Sequence, residues 1–109
     1  MSENYLHYAL DLLSPLEKVT YRAMFGGYGI YLNGVIFAII VDDELYFKVD
    51  KTNIDMYKKY NSEPFSYTTK NGKKAVMPYW KIPCTVLEDE KKLVEYAKDA
   101  HNVSINSKK

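Results

Sequence analysis

The sequence predicts an α+β domain with two layers, an antiparallel sheet of about six strands and helices packed on one of its faces. Two Asn-Gly dipeptides lie between alternating apolar runs, one seven-residue run is apolar throughout, and both ends carry apolar stripes at helical spacing. Eleven tyrosines favour strands over helices, and 109 residues suffice for one two-layer core. The predicted order of elements is α-β-β-β-β-α-β-β-α, with the helices grouped against the sheet.

The first half of the chain is predicted to form a helix and then a four-stranded meander. Residues 3–13 place apolar side chains on one stripe, and Ser14-Pro15 ends that helix. Asn33-Gly34 suits a two-residue type I′ turn, which requires positive φ at both positions. Residues 35–41 are all apolar, which indicates a central strand covered on both faces. The meander comprises a connector that becomes a strand over 16–24, and strands over 28–32, 35–41 and 44–49.

The second half is predicted to form a short helix, a hairpin and a closing helix. Asp50 or Thr52 is the expected cap of the helix over 52–60. The strands 65–69 and 75–80 surround a turn that again contains Asn-Gly. The closing helix is predicted over 88–100. We therefore expect one domain over residues 1–101 and a polar, disordered tail over residues 102–109.

Composition excludes several classes of function. The net charge is +1, so the chain lacks the basic surplus of a strong nucleic-acid binder. The single cysteine, Cys84, excludes an internal disulfide and fits a reducing compartment. His7 and His101 share no metal-ligand spacing, so we expect no metal and no cofactor. No apolar run approaches the roughly 20 residues of a membrane span, and no signal-peptide pattern occurs, so we expect a cytoplasmic protein without membrane contact.

The segment 22–31 contains three of the five glycines of the chain. A phosphate-binding loop would require a helix after the glycines, whereas strand-like residues follow them here. Glycine suits a bend or a close backbone approach, so we interpret the segment as the connection between the first two strands.

Arg22, Lys48 and Asp50 form a candidate pocket. An arginine before an apolar bend can bind backbone carbonyls, pair with Asp50 or Asp89, or bind an anionic ligand. Lys48 and Asp50 are two residues apart at a strand end, so their side chains share one face. The alternative interpretation is a solvated strand end in which Asp50 caps the following helix.

The second hairpin carries lysines interleaved with aromatic residues, a pattern typical of single-stranded nucleic-acid surfaces. The alternative is an edge strand that lysines protect from aggregation. The candidate nucleic-acid contacts are Lys70, Lys73, Lys74, Lys81, Tyr79 and Trp80.

Several segments, taken in order, resemble the N-terminal domain of the TfoX/Sxy competence-regulator family. The most specific is the Arg-x-Met-Phe-Gly-Gly-x-Gly motif, formed by Arg22, Met24, Phe25, Gly26, Gly27 and Gly29. Weaker matches follow at Gly34, Phe37, Ala38, Asp43, Leu45, Tyr46, Phe47, Lys48, Asp50, Pro64, Phe65, Tyr67, Met77, Tyr79, Leu87, Glu88 and Asp89. The resemblance covers roughly residues 7–100 and implies an antiparallel sheet with helices against it.

The resemblance implies regulation rather than catalysis. Two-domain members regulate bacterial DNA-uptake genes together with a cyclic-AMP receptor protein, and they add a C-terminal helical domain. We expect a stand-alone N-terminal domain here, with no catalytic residues, that binds a protein partner in a regulatory complex. A homodimer through an available sheet edge is also expected. The alternatives are DNA or RNA binding through the hairpin 67–81 and binding of a small anionic ligand near Arg22.

Overall fold

A computed structural model describes residues 3–24 and 27–107, which form an α+β domain, as predicted. Each Asn-Gly dipeptide lies at a turn, and Asn33 and Gly34 both adopt the positive φ that the predicted two-residue turn requires. At the second turn only Gly72 has positive φ, and the loop is longer, since the Gly72 N–H donates to the Thr69 carbonyl and the Thr69 N–H to the Lys73 carbonyl. The strands are β1 (Val19–Met24), β2 (Gly27–Leu32), β3 (Val35–Val41), β4 (Glu44–Lys48), β5 (Pro64–Thr68) and β6 (Lys74–Lys81). The helices are α1 (Glu3–Leu12), α2 (Asp55–Lys58), α3 (Cys84–Leu87) and α4 (Glu90–Ser107).

All six strands join one antiparallel sheet in the order β1-β2-β3-β4-β6-β5. The meander of the first four strands is confirmed. The second hairpin joins this meander through β6, and β5 therefore becomes the outer strand. β3 lies in the interior of the sheet, where its fully apolar sequence predicts it.

The core lies between the helices and one face of the sheet. Side chains of all four helices belong to one buried cluster with residues of β2, β3 and β4. A register shift between Ile30 and Tyr31 leaves Phe37 without a direct partner on β2, so Phe37 and Ala38 are both fully buried in this cluster. The cluster is a single apolar layer that holds every helix to the same side of the sheet.

The helices differ in extent from the sequence prediction. α2 is one turn long, because residues 51–54 form a turn that Asp50 and Asn53 stabilise. The predicted closing helix is two helices, α3 and α4. α4 continues to Ser107, so the predicted disordered tail does not match the structure over residues 102–107. The reason is burial, since Val103 and Ser104 pack against the domain.

In the described part of the chain, none of the helices is both long enough and apolar enough to cross a membrane.

Candidate binding face of the sheet

The sheet face opposite the helices is the candidate functional site. Cross-strand pairing places Arg22, Gly29, Ile39, Tyr46 and Lys81 in one row across five strands on this face. Along each strand, side chains alternate between this face and the opposite face, which carries the core. We call this surface the open face.

The open face contains an apolar cleft of about 200 Å³. Ile39, at its centre, is only 6% exposed, although the core helices lie on the other face. Large neighbouring side chains on the open face therefore cover Ile39. The apolar cleft is lined by Met24, Tyr28, Ile36, Ile39, Val41, Phe65, Met77 and Tyr79.

Two glycines of β2 allow close packing around the cleft. A Cβ added at Gly27 would collide with the backbone carbonyl oxygen of Ile40. A Cβ at Gly29 would lie 3.0 Å from Cδ1 of Ile36 and 3.1 Å from the Met24 sulfur. Position 27 therefore requires glycine because the backbone of β3 lies against it, whereas Gly29 makes room for two cleft side chains.

Two cations lie over tyrosines beside the cleft. The Arg22 guanidinium is 5.7 Å from the ring centroid of Tyr31, and the Lys48 ammonium is 5.2 Å from that of Tyr79. Burial raises the pKa of Tyr79, and the nearby Tyr31 adds to this. We call these two contacts the cation–tyrosine pairs. They keep the positive charges of Arg22 and Lys48 at the rim of the cleft.

A third cation of the open face is neutralised. Lys81 forms an ion pair with Glu44, with 3.2 Å between the ammonium nitrogen and the carboxylate oxygen. The hydrogen bond to Glu44 raises the pKa of Lys81. Tyr46 lies nearby and contacts Phe65 edge to face at 5.3 Å. Burial, together with the Glu44 charge, raises the pKa of Tyr46.

Asp50 has a structural contact of its own. Its carboxylate accepts hydrogen bonds from the backbone N–H and the hydroxyl of Thr52, and the hydroxyl bond is the main cause of its lowered pKa. Buried Asn53 accepts a bond from the Asp50 N–H and donates to Asp99 Oδ2 at 2.7 Å and to the Lys48 carbonyl. Among the three candidate pocket residues, the structure places Arg22 and Lys48 beside the cleft and Asp50 at the start of the turn before α2.

The hairpin candidates for nucleic-acid contact are divided between three places. Lys70, Lys73 and Lys74 are exposed around the turn between β5 and β6. Tyr79 is 5% exposed within the cleft, and Lys81 binds Glu44. The remaining candidate, Trp80, packs against the core on the other face. The lysines of the turn are therefore separated from both aromatic residues.

Four residues of the glycine-rich motif lie at the open face: Arg22, Met24, Gly27 and Gly29. Phe25 and Gly26 lie outside the described residues. Sequence reasoning did not select Tyr31, Ile36, Ile39, Val41, Phe65 or Met77 as site residues. One available signal was the fully apolar β3, which implies that its second face is covered as well.

Within residues 3–24 and 27–107, no three His, Cys, Asp or Glu side chains are grouped to hold a metal ion. Cys84 is exposed at the start of α3.

Fold and site define a small α+β domain with helices on one sheet face and an apolar cleft between cation–tyrosine pairs on the other. The model of the TfoX N-terminal domain matches residues 11–104, and the chain belongs to this family. The family predicted from the sequence motifs is confirmed. The chain is also similar to Protein Sxy of Escherichia coli (strain K12), with 22% identity over 108 residues. That match covers 99% of this chain and 51% of Sxy, so the chain spans about half the length of the curated relative it matches.

Proposed function

We propose that this chain is a cytoplasmic regulatory domain in the control of competence, and that it acts by binding a partner protein rather than by catalysis. The observation that carries the proposal is the apolar cleft on the open face. Membership of the family supports the regulatory setting. The cleft supports contact with a protein, because a concave apolar pocket on an otherwise uncovered sheet face can receive an apolar anchor side chain of a partner.

The size of the cleft favours a protein side chain over a free small molecule. Its volume of about 200 Å³ lies below the range of roughly 300–1,000 Å³ that is usual for small-molecule sites. A dry apolar cavity of about 150 Å³ accommodates a benzene-sized group. One aromatic or branched aliphatic side chain of a partner would therefore fill it.

The charged groups near the cleft support binding rather than acid–base chemistry. Glu44 and Lys81 bind each other, and Asp50 binds Thr52. A catalytic acid or base needs a free functional group within hydrogen-bond distance of its substrate. The carboxylates of Glu44 and Asp50 are engaged in structural contacts and are therefore not free to act as an acid or a base.

The proposal is tested with two neighbouring residues of β6. Met77 lines the cleft, whereas Val76 points to the other face and is 61% exposed. In the source bacterium, with the gene replaced by each variant, we expect Met77→Asp to reduce transcription of DNA-uptake genes at least tenfold. Val76→Asp introduces the same charge one residue away and should leave transcription unchanged.

Thermal unfolding and protein level of both variants provide the control for folding. Normal transcription with a folded Met77→Asp protein would refute a role for the cleft. Equal losses in both variants would show that the effect does not depend on the cleft.

A further inference from the structure

The charges at the rim of the cleft indicate the chemistry of its occupant. Arg22 is exposed and Lys48 is half-buried, and each lies over a tyrosine ring. Among the described residues, Lys81 forms an ion pair with Glu44, whereas neither Arg22 nor Lys48 has an acidic partner. Two positive charges therefore remain unneutralised next to an apolar cavity.

We propose that the cleft binds an acidic segment of a partner protein, which inserts one large apolar side chain and directs carboxylates to Arg22 and Lys48. The inference rests on the proposed function and specifies its partner. The aromatic rings hold both cations in place at the rim, so less side-chain freedom is lost when a carboxylate binds. Charge complementarity of this kind selects the partner and orients it.

The same geometry argues against a nucleic acid on this face. Single-stranded nucleic acids bind by stacking bases on exposed aromatic rings. On this face the Tyr79 ring is nearly buried, and the Tyr31 and Tyr79 rings already carry Arg22 and Lys48. Tyr67 on β5 is 48% exposed, but its ring is stacked on Phe65, so it offers a base one stacking position rather than a series of them. The exposed lysines 70, 73 and 74 lie around the β5–β6 turn, away from the cation–tyrosine pairs. A segment that inserts a side chain fits the apolar cleft better than a stack of bases.

The test starts from a random dodecapeptide display library. The library is selected on the full chain and counter-selected on Met77→Gln, which makes the cleft polar without adding a charge, so that cleft-dependent peptides are retained whatever their charge. We expect enriched peptides to combine Asp or Glu with one Phe, Leu, Ile or Trp. Enriched peptides that are apolar without acids would overturn this inference and leave the proposed protein contact standing. Absence of cleft-dependent peptides would overturn both.

The enriched peptide is then measured by fluorescence anisotropy against a charge reversal. Arg22→Glu with Lys48→Glu should weaken binding about tenfold at low salt, the effect expected of two surface ion pairs. Lys73→Glu with Lys74→Glu makes the same change of charge on the hairpin turn and should leave the affinity unchanged. A peptide with its acids replaced by lysines should bind the Arg22→Glu, Lys48→Glu protein better than the wild type.

Two results would contradict the proposal in this second stage. One is equal affinity of the acidic peptide for the wild type and for the Arg22→Glu, Lys48→Glu protein. The other is a labelled single-stranded DNA dodecamer that displaces the peptide and loses affinity in the same variant. A circular dichroism melt of each variant verifies that the domain remains folded.

Discussion

Gly27 and Gly29 lie two residues apart on one strand, yet different neighbours restrict them. The neighbour of Gly27 is the carbonyl oxygen of Ile40, which belongs to the backbone of β3 and has no rotamer to change. The neighbours of Gly29 are the side-chain ends of Met24 and Ile36, which can rotate away. The two positions therefore differ in what an added methyl group costs.

We expect Gly27→Ala to lower the free energy of unfolding by about 2–3 kcal/mol, because β3 must shift to admit the methyl group. Gly29→Ala should change it by less than about 1 kcal/mol, because alanine gains roughly 0.5–1 kcal/mol over glycine in a strand and offsets the crowding. Urea unfolding of both variants measures the difference. Equal losses would show that the side chains over Gly29 are as rigid as the backbone near Gly27.

The carboxyl group of Asp50, again a single residue, gives a prediction about the pH dependence of stability. The Thr52 hydroxyl lowers the pKa of Asp50 in the folded state. Its contribution to stability is therefore present above the ordinary pKa of about 3.9 and is lost as the pH falls through the lowered value. Thr52→Val should move the pKa of Asp50 up towards its ordinary value, as followed by NMR titration of the carboxyl carbon.

Thr85→Val, at an exposed position of α3, is the control for this titration. An Asp50 pKa that is the same in wild type and Thr52→Val would exclude the hydroxyl as the cause.

At the scale of elements, the last turns of α4 are part of the domain. Val103 is buried, whereas Ile105 two residues later is 36% exposed. Val103→Asp should lower the free energy of unfolding by at least about 3 kcal/mol, because a buried carboxylate without a partner is costly. Ile105→Asp should cost less than about 1 kcal/mol. Chemical denaturation distinguishes the two, and similar values would mean that the helix end does not pack as described.

Most element boundaries could be predicted because local signals determine them. Asn33-Gly34 and Asn71-Gly72 fix both turns, and alternation fixes the strands beside them. The extent of α4 could not be predicted, since its polar C-terminal sequence is held by tertiary burial of Val103 and Ser104. The attachment of the second hairpin through β6 depends on long-range pairing, which leaves no local pattern.

The candidate site could be predicted only in part, because some of its residues also lack a local sequence pattern. Arg22 and Lys48 could be selected because charges next to apolar strands stand out in a sequence. Ile36 and Ile39 could not be assigned to the open face, because every residue of β3 is apolar and the alternation is hidden. The register shift at Ile30 and Tyr31 further changes which β3 residues face outward.

At the scale of the whole molecule, buried and half-buried tyrosines link stability to alkaline pH. Burial is the main cause of the raised pKa of five tyrosines, and it raises that of Tyr5 to about 12. The other four are Tyr46, Tyr57, Tyr79 and Tyr96. A phenol with a raised folded pKa contributes stability that is complete below its ordinary pKa of 10.0 and is lost as the pH rises further.

We therefore expect the melting temperature to fall steeply between pH 10 and 12, as buried phenols ionise more readily in the unfolded chain. Thermal melts, with phenolate absorbance recorded in parallel, measure this effect. Tyr5→Phe should reduce the slope, whereas Tyr21→Phe, at an exposed position, should not. A melting temperature independent of pH over this interval would contradict the burial of these rings.

All helices pack on one face of the sheet, and this arrangement has an evolutionary consequence. Folding depends mainly on the layer between helices and sheet, whereas the open face is free to meet other molecules. On the proposed function, substitutions at the rim of the cleft can therefore alter recognition with little loss of stability. Paralogues built on this scaffold could diverge in their partners while retaining an unchanged interior.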